Sequence, residues 1–228
     1  MPNWCVQNSV LRGPRESIQD FCEKLNSLIG KEHIKPNGFG DFWLGNVCEA
    51  FGYKYEELNE QGAALRGNID PDANQIATLI HPEAETILFV PKSIDNGTTE
   101  IRFSVTHAWG PSDWFNDMIE EKYPECQFAW KATDEFGNFH YVCGDRELIG
   151  CGKYEIESWG DDGEERYFQE GEEQKVADYL NDWMKLKEGK ITAEDIRKNE
   201  DSVYKKIAEY NDENDLETVY LSVYEEID

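Results

Sequence analysis

The sequence has few basic residues: 22 Lys and Arg stand against 48 Asp and Glu, which gives a formal net charge of −26. Proteins that bind phosphate backbones or anionic membranes normally present clusters of Lys and Arg. We therefore expect no direct binding to nucleic acid. The sequence also has no apolar run as long as a membrane span requires, so we expect no membrane partner.

Motifs of known chemistry are absent as well. The sequence contains no G-x-S-x-G, G-x-x-x-x-G-K-[ST], G-x-G-x-x-G or H-E-x-x-H. His140, Cys143 and Cys151 could supply three zinc ligands, but their spacing matches no common zinc site and no fourth ligand is evident. We expect no catalytic residue, no metal site and no cofactor. A divalent-cation-dependent hydrolase or nuclease stays open as an alternative, because carboxylates distant in sequence can converge.

The sequence has no closely paired cysteines, and from its first residues we expect no signal peptide. The six cysteines form no C-x-x-C pair. The start, Met1-Pro2-Asn3-Trp4, has neither a basic n-region nor an apolar h-region. We expect reduced, mostly buried cysteines and a cytoplasmic location.

The sequence is nevertheless rich enough in bulky side chains to fold. It is 39% hydrophobic and 13% aromatic and includes seven Trp residues, which predicts an ordered globule. We interpret the acidity as a solvated surface that promotes solubility. The alternative is an acidic DNA mimic, which would inhibit a DNA-binding protein by occupying its basic groove.

Hydrophobic periodicity predicts the fold class of residues 1–144. Trp4, Val6 and Val10 alternate with Cys5 and Leu11, which indicates a strand. The other predicted elements are a helix at 16–29, a strand at 100–109, a helix with Ser112 as its N-cap, and strands at 126–132 and 139–143. These elements predict an α+β fold, a ferredoxin-like split βαβ antiparallel sheet with both helices on one face. We interpret the segment from about residue 31 to residue 97 as an insertion, with a predicted short helix at 42–51 and predicted strands at 64–69 and 86–90.

Residues 145–228 differ in character and predict an acidic C-terminal α+β extension. They contain 26 acidic and 11 basic residues. A hairpin is expected from strands at 154–159 and 166–169. A helical stripe then runs from Val176 to Met184, Thr192 begins another helix as a capping box, and Val219 to Val223 form a last strand.

Three stretches of the sequence resemble a known family. They are MPNWCVQN at residues 1–8, FSVTHAWGPSDWF at 103–115, and Lys122-Tyr123-Pro124 followed by Phe128. Together they resemble the YubB-like ferredoxin-fold family of phage, plasmid and gut-bacterial proteins, over about the first 144 residues. Ser112 stands where the family usually has a second proline. The resemblance implies the fold and a mobile-element setting, and it implies no chemistry.

Candidate binding residues cluster where a strand gives way to a helix. They are His107, Trp109, Asp113 and Trp114, and the backbone amides of a helix N-terminus there could hold an anion. The alternative is a packed corner, because large aromatic side chains usually belong to the core. The predicted function is a non-enzymatic protein-interaction module of a bacterial mobile element. Its protein partner and its oligomeric state stay open.

Overall fold

The computed structural model describes residues 3–30, 40–61, 65–72, 76–81, 84–95, 97–135, 140–160, 163–214 and 218–226. The chain forms two compact units. The first is built from Met1–Phe139 and Cys143–Ile149, and the second from His140–Val142 and Gly150–Ile227. The division into a domain of residues 1–144 and an extension of residues 145–228 stays a prediction.

The first unit alternates strands and helices. Its strands are β1 (Trp4–Pro14), β2 (Gly67–Pro71), β3 (Ile76–His81), β4 (Ala84–Phe89), β5 (Lys92–Ser93), β6 (Thr98–Ala108) and β7 (Gln127–Asp134). Its helices are α1 (Arg15–Asn26), α2 (Leu44–Ala50), α3 (Tyr55–Glu60), α4 (Asp113–Lys122) and α5 (Arg146–Ile149).

The sheet of this unit is antiparallel. Strand β1 lies between β6 and β7, and β2 pairs with the other edge of β6. The strand order is β7-β1-β6-β2, with β5 paired to the first residues of β6. The predicted pairing of the three strands near residues 4–12, 100–107 and 126–132 in one antiparallel sheet is confirmed. Strands β3 and β4 form a separate hairpin.

One face of this sheet carries the core. Leu11 of β1 lies opposite Ile101 of β6, and Phe103 lies two residues further along the same face. The ring of Phe103 is 5.3 Å from that of Phe21 in α1 and 6.2 Å from that of Phe115 in α4, measured between centroids. Both helices therefore pack against the same face. Their hydrophobic stripes could be predicted from the sequence because each helix buries only one of its own sides against the sheet.

The inserted region folds somewhat differently from its prediction. Helix α2 lies within the predicted helix, but the predicted strand at 64–69 begins only at Gly67. Helix α3 was not predicted, because Leu58 is its one buried residue and a single apolar side chain makes no stripe. Part of the insertion, at 31–39, lies outside the described residues.

The described residues of the second unit form a separate three-stranded sheet and three helices. Its strands are β8 (His140–Cys143, whose last residue belongs to the first unit), β9 (Tyr154–Trp159), β10 (Glu165–Phe168), β11 (Thr218–Val223) and β12 (Glu225–Glu226). Its helices are α6 (Glu173–Trp183), α7 (Ala193–Arg197) and α8 (Asp201–Glu213). The antiparallel sheet has the order β10-β9-β11, and β12 pairs in parallel with β8. The predicted hairpin and last strand are confirmed as β9, β10 and β11.

The helical end of the second unit confirms the predicted capping box. Thr192 forms the predicted capping box with Asp195, each side chain bonding to the backbone of the other residue. The helix that it starts ends after five residues, and α8 follows as a separate helix. Asn199 lies between them at a φ of 51°, a left-handed conformation that ends a helix.

All six cysteines are free of disulfides, and four of them are buried: Cys5, Cys22, Cys48 and Cys151. Burial raises the pKa of the Cys5, Cys22 and Cys48 thiols to about 12, with smaller contributions from Asp134, Glu23 and Glu49 respectively. The prediction of mostly buried cysteines is therefore confirmed. These thiols are protonated at neutral pH and act as small hydrophobic side chains.

Candidate functional site

The backbone turns sharply where β6 ends. Trp109 follows the strand with a φ of 73°, in the left-handed region that a bulky side chain rarely adopts. Its amide donates a hydrogen bond to the carbonyl of Asn3 at 2.6 Å. The indole does not gain burial from this conformation, because Trp109 is 66% exposed. The strain, of about 1–3 kcal/mol, is thus kept at a surface position.

Trp109 takes part in a group of three side chains that we name the Trp–Arg–Trp cluster. The guanidinium carbon of Arg66 lies 5.7 Å from the ring centroid of Trp109 and 5.9 Å from that of Trp4. Both distances fall within the range of cation–π attraction. The cluster joins an exposed cation to two indoles, one of them strongly exposed.

Strand pairing assembles this cluster from three distant segments. Trp4 lies opposite Ala108 in the β1–β6 register, and the Ala108 amide donates to the carbonyl of Arg66 at 3.0 Å. Gly67 follows Arg66 and lies opposite His107. A Cβ at Gly67 would come within 2.1 Å of the Thr106 carbonyl oxygen, so glycine permits the close approach of β2 that brings Arg66 to the indoles.

His107 precedes this turn but lies on the helix-facing side of the sheet. It is fully buried, and its ring centroid is 6.5 Å from that of Phe115. Neither ring nitrogen has a hydrogen-bond partner within the described part of the chain. Burial lowers the pKa of His107 to about 4, so the ring is neutral at neutral pH.

A buried polar network lies on the same face. The Gln7 side-chain amide donates to the Asn116 carbonyl oxygen at 2.8 Å and to the Ser9 hydroxyl at 3.0 Å. Gln7 and Ser9 belong to β1, whereas Asn116 belongs to α4. These bonds fix the position of α4 over the sheet, because a buried amide left without partners costs about 1–3 kcal/mol.

The remaining predicted site residues lie in different surroundings. Asp113 is exposed in the first turn of α4, where a carboxylate complements the helix dipole and repels another anion. Trp114 is half-buried, with its ring 5.9 Å from that of Tyr53. It packs beside the small core of Cys48, Leu58 and Leu65. Ser112 occupies the predicted N-cap position, but its side chain makes no capping hydrogen bond.

Of the four predicted residues, Trp109 and Asp113 are thus exposed, and Arg66 and Trp4, which lie beside Trp109, were not predicted. Arg66 carries no local signal, because its place in the cluster depends on the pairing of β2 with β6. The sequence pattern places Trp4 on the face opposite Cys5, as observed, but does not indicate a stacked cation. The prediction of a binding site stays untested for the four residues His107, Trp109, Asp113 and Trp114.

Two further findings concern the described residues. Among the residues that the structure describes, no group of three or more His, Cys, Asp or Glu side chains is placed to hold a metal ion. None of the described helices combines the length and the hydrophobicity that crossing a membrane requires.

Comparison with known proteins returns no relative. No family model, no curated protein and no solved structure matches the chain. The resemblance to the YubB-like family therefore stays a prediction that rests on the quoted motifs.

Proposed function

We propose that this protein is a non-enzymatic protein-interaction module and that the Trp–Arg–Trp cluster is its principal contact with a protein partner. One observation carries the proposal: a bulky indole is kept 66% exposed in a strained backbone conformation. The fold gains no burial from this arrangement. Strained residues of this kind concentrate at binding and catalytic sites.

The chemistry of the cluster also suits protein recognition. Trp and Arg are enriched among the interface residues that contribute most to binding energy. Val6, which is 41% exposed, lies two residues along β1 from Trp4 and on the same sheet face. Exposed apolar side chains that lie side by side mark interaction sites more often than isolated ones do.

We further propose that the first unit has the ferredoxin-like arrangement and belongs to the YubB-like family of mobile elements. The strand order β7-β1-β6-β2 supports this, since β1, α1, β2, β6, α4 and β7 follow one another as β-α-β-β-α-β once α2, α3 and β3 to β5 are set aside. The two helices on one face add support. The family and the mobile-element setting rest on the sequence resemblance alone.

The test is affinity capture from host-cell lysate with the wild-type chain and two variants. Trp109→Gly removes the indole and accepts the positive φ. Ile94→Ala is the matched control. Ile94 is an apolar residue that is 42% exposed, and it lies shortly before the start of β6, whereas Trp109 follows the end of that strand. We expect one protein to be retained by the wild type and the control but lost with Trp109→Gly. Equal capture by all three would refute the role of the cluster.

A melting experiment separates this function from the hydrolase alternative. A ligand that binds only the native state raises the melting temperature. We expect unchanged melting temperatures when Mg²⁺, Mn²⁺ or Ca²⁺ is added at millimolar concentration. A rise with one cation alone would favour a divalent-cation-dependent hydrolase or nuclease.

A further inference from the structure

The sheet of the second unit has one face that packs on its helices and one that does not, which we name the outer face. Tyr154, Ile156, Val219 and Leu221 point into the helical core. Their neighbours along each strand point the other way, because side chains alternate. The outer-face positions are Glu155, Glu157, Trp159, Glu165, Tyr167, Thr218, Tyr220 and Ser222.

Three aromatic side chains on the outer face are exposed, and two of them, Trp159 and Tyr220, are diagonal neighbours on adjacent strands. Trp159 is 57% exposed, Tyr220 50% and Tyr167 41%. Tyr220 lies directly opposite Glu157 in the register, and Trp159 lies two residues beyond Glu157 on the same strand. Two exposed rings therefore flank one exposed carboxylate, within the reach of neighbouring side chains across a sheet.

The charge of the outer face has one sign. None of its positions on β9, β10 and β11 carries Lys or Arg. Glu157 and Glu165 lie directly opposite each other, and like charges in that relation destabilise a sheet. Tyr167 donates a hydrogen bond to Glu165. The face thus combines aromatic rings with negative charge, the combination that attracts guanidinium and ammonium groups.

On its other face, the same sheet holds an arginine between an aromatic ring and a carboxylate. The guanidinium carbon of Arg166 lies 4.8 Å from the ring centroid of Tyr179, and its Nε donates to the Glu164 carboxylate at 2.6 Å. Ring and carboxylate together hold one cation there. Trp159, Tyr220 and Glu157 offer the same groups on the outer face.

We propose that the outer face is a docking surface for an arginine-bearing segment of a protein partner. The guanidinium lies over the ring of Trp159 or Tyr220 and donates hydrogen bonds to the carboxylate of Glu157. The negative charge of the chain, −26 in total, attracts such a segment before contact. This surface is built from residues of the second unit and the proposal does not depend on the Trp–Arg–Trp cluster.

The test uses a fluorescein-labelled peptide of alternating Gly and Arg, with a peptide of alternating Gly and Gln as its neutral counterpart. Binding to the full chain is measured by fluorescence anisotropy at about 0.15 M NaCl, where charges farther apart than about 8 Å are largely screened. The variants are Glu157→Gln and Trp159→Ala. Glu188→Gln is the matched control, since it removes one exposed charge elsewhere in the same unit.

We expect the Arg peptide to bind and the Gln peptide not to bind. Glu157→Gln and Trp159→Ala should each raise the Kd about fivefold, and Glu188→Gln less than about twofold. Equal weakening by Glu157→Gln and Glu188→Gln would mean general attraction to an acidic surface and would overturn the proposal, as would no binding of the Arg peptide.

Two controls complete the experiment. Ile94→Ala, which removes an exposed apolar side chain from the first unit, should leave peptide binding unchanged. Sedimentation velocity of the wild type and Trp159→Ala tests for a second copy of this chain on the outer face. If the wild type is a dimer and Trp159→Ala is a monomer, the outer face binds a second copy of this chain rather than a basic partner, and the proposal is overturned.

Discussion

Trp109 joins a strained backbone to an exposed indole, and the two properties can be separated by substitution. Trp109→Gly removes both the indole and the steric penalty of a positive φ, whereas Trp109→Ala removes only the indole. Each loses the same stacking on Arg66. We expect Trp109→Gly to be more stable than Trp109→Ala by about 1 kcal/mol in urea unfolding. Equal stabilities would contradict the strain at this residue.

His107 makes stability depend on pH in a defined window. Its pKa is about 4 in the folded chain against an ordinary 6.5, so the unfolded chain binds the proton first as pH falls. Stability attributable to this neutral ring is therefore complete above pH 6.5 and lost progressively toward pH 4.

The test compares the wild type with His107→Phe, which has no titratable group and keeps an aromatic ring beside Phe115. Between pH 7 and pH 4 the wild type should lose on the order of 3 kcal/mol of unfolding free energy relative to the variant. The difference between the two isolates this residue from the many carboxylates that both chains share. Parallel pH profiles would show that His107 titrates normally.

At the scale of elements, Glu100 links the central strands of the first unit. It is 3% exposed at the start of β6, and it accepts hydrogen bonds from Arg12 of β1 at 2.9 and 2.5 Å and from Arg102 at 2.6 Å. Burial alone would raise the pKa of Glu100, but the hydrogen bonds from the two arginines outweigh it and lower the pKa.

Glu100→Gln should therefore destabilise the chain by about 2 kcal/mol at pH 7, because hydrogen bonds to a charged group are worth about 1.5–3 kcal/mol each and glutamine retains part of them. Glu57→Gln is the control: it removes an exposed salt bridge to Lys54 and should cost less than about 0.5 kcal/mol. Urea titration measures both. As pH falls through the lowered pKa of Glu100, the difference between wild type and Glu100→Gln should disappear.

Elements with strong periodicity were predictable from sequence, and those defined by tertiary contacts were not. Strand β1 alternates and α1 carries a full apolar stripe, so both could be located within a few residues. The capping box of Thr192 is equally local. The end of α7 could not be placed, because the left-handed Asn199 lies within an otherwise helical pattern. Arg66 joins the candidate site only through pairing between strands, which periodicity cannot assign.

For the whole molecule, the net charge of −26 opposes the compact state through self-repulsion. Added salt screens charges that lie more than about 10 Å apart at 0.1 M, while close pairs such as Arg12–Glu100 are screened less. We expect the melting temperature to rise by a few degrees between about 0.02 and 0.3 M NaCl. A fall over that range would mean that favourable pairs outweigh repulsion in the folded chain.

The rate at which the buried cysteines react with a thiol reagent measures how often the chain opens. A thiol reacts with disulfide reagents only as the exposed thiolate, so Cys5, Cys22 and Cys48 can be labelled only when the first unit opens. Cys151 is also buried, and it can be labelled only when the second unit opens. Under native conditions, labelling followed by mass spectrometry should modify the half-buried Cys126 and Cys143 first. Different rates at Cys22 and Cys151 would measure how often each unit opens without the other.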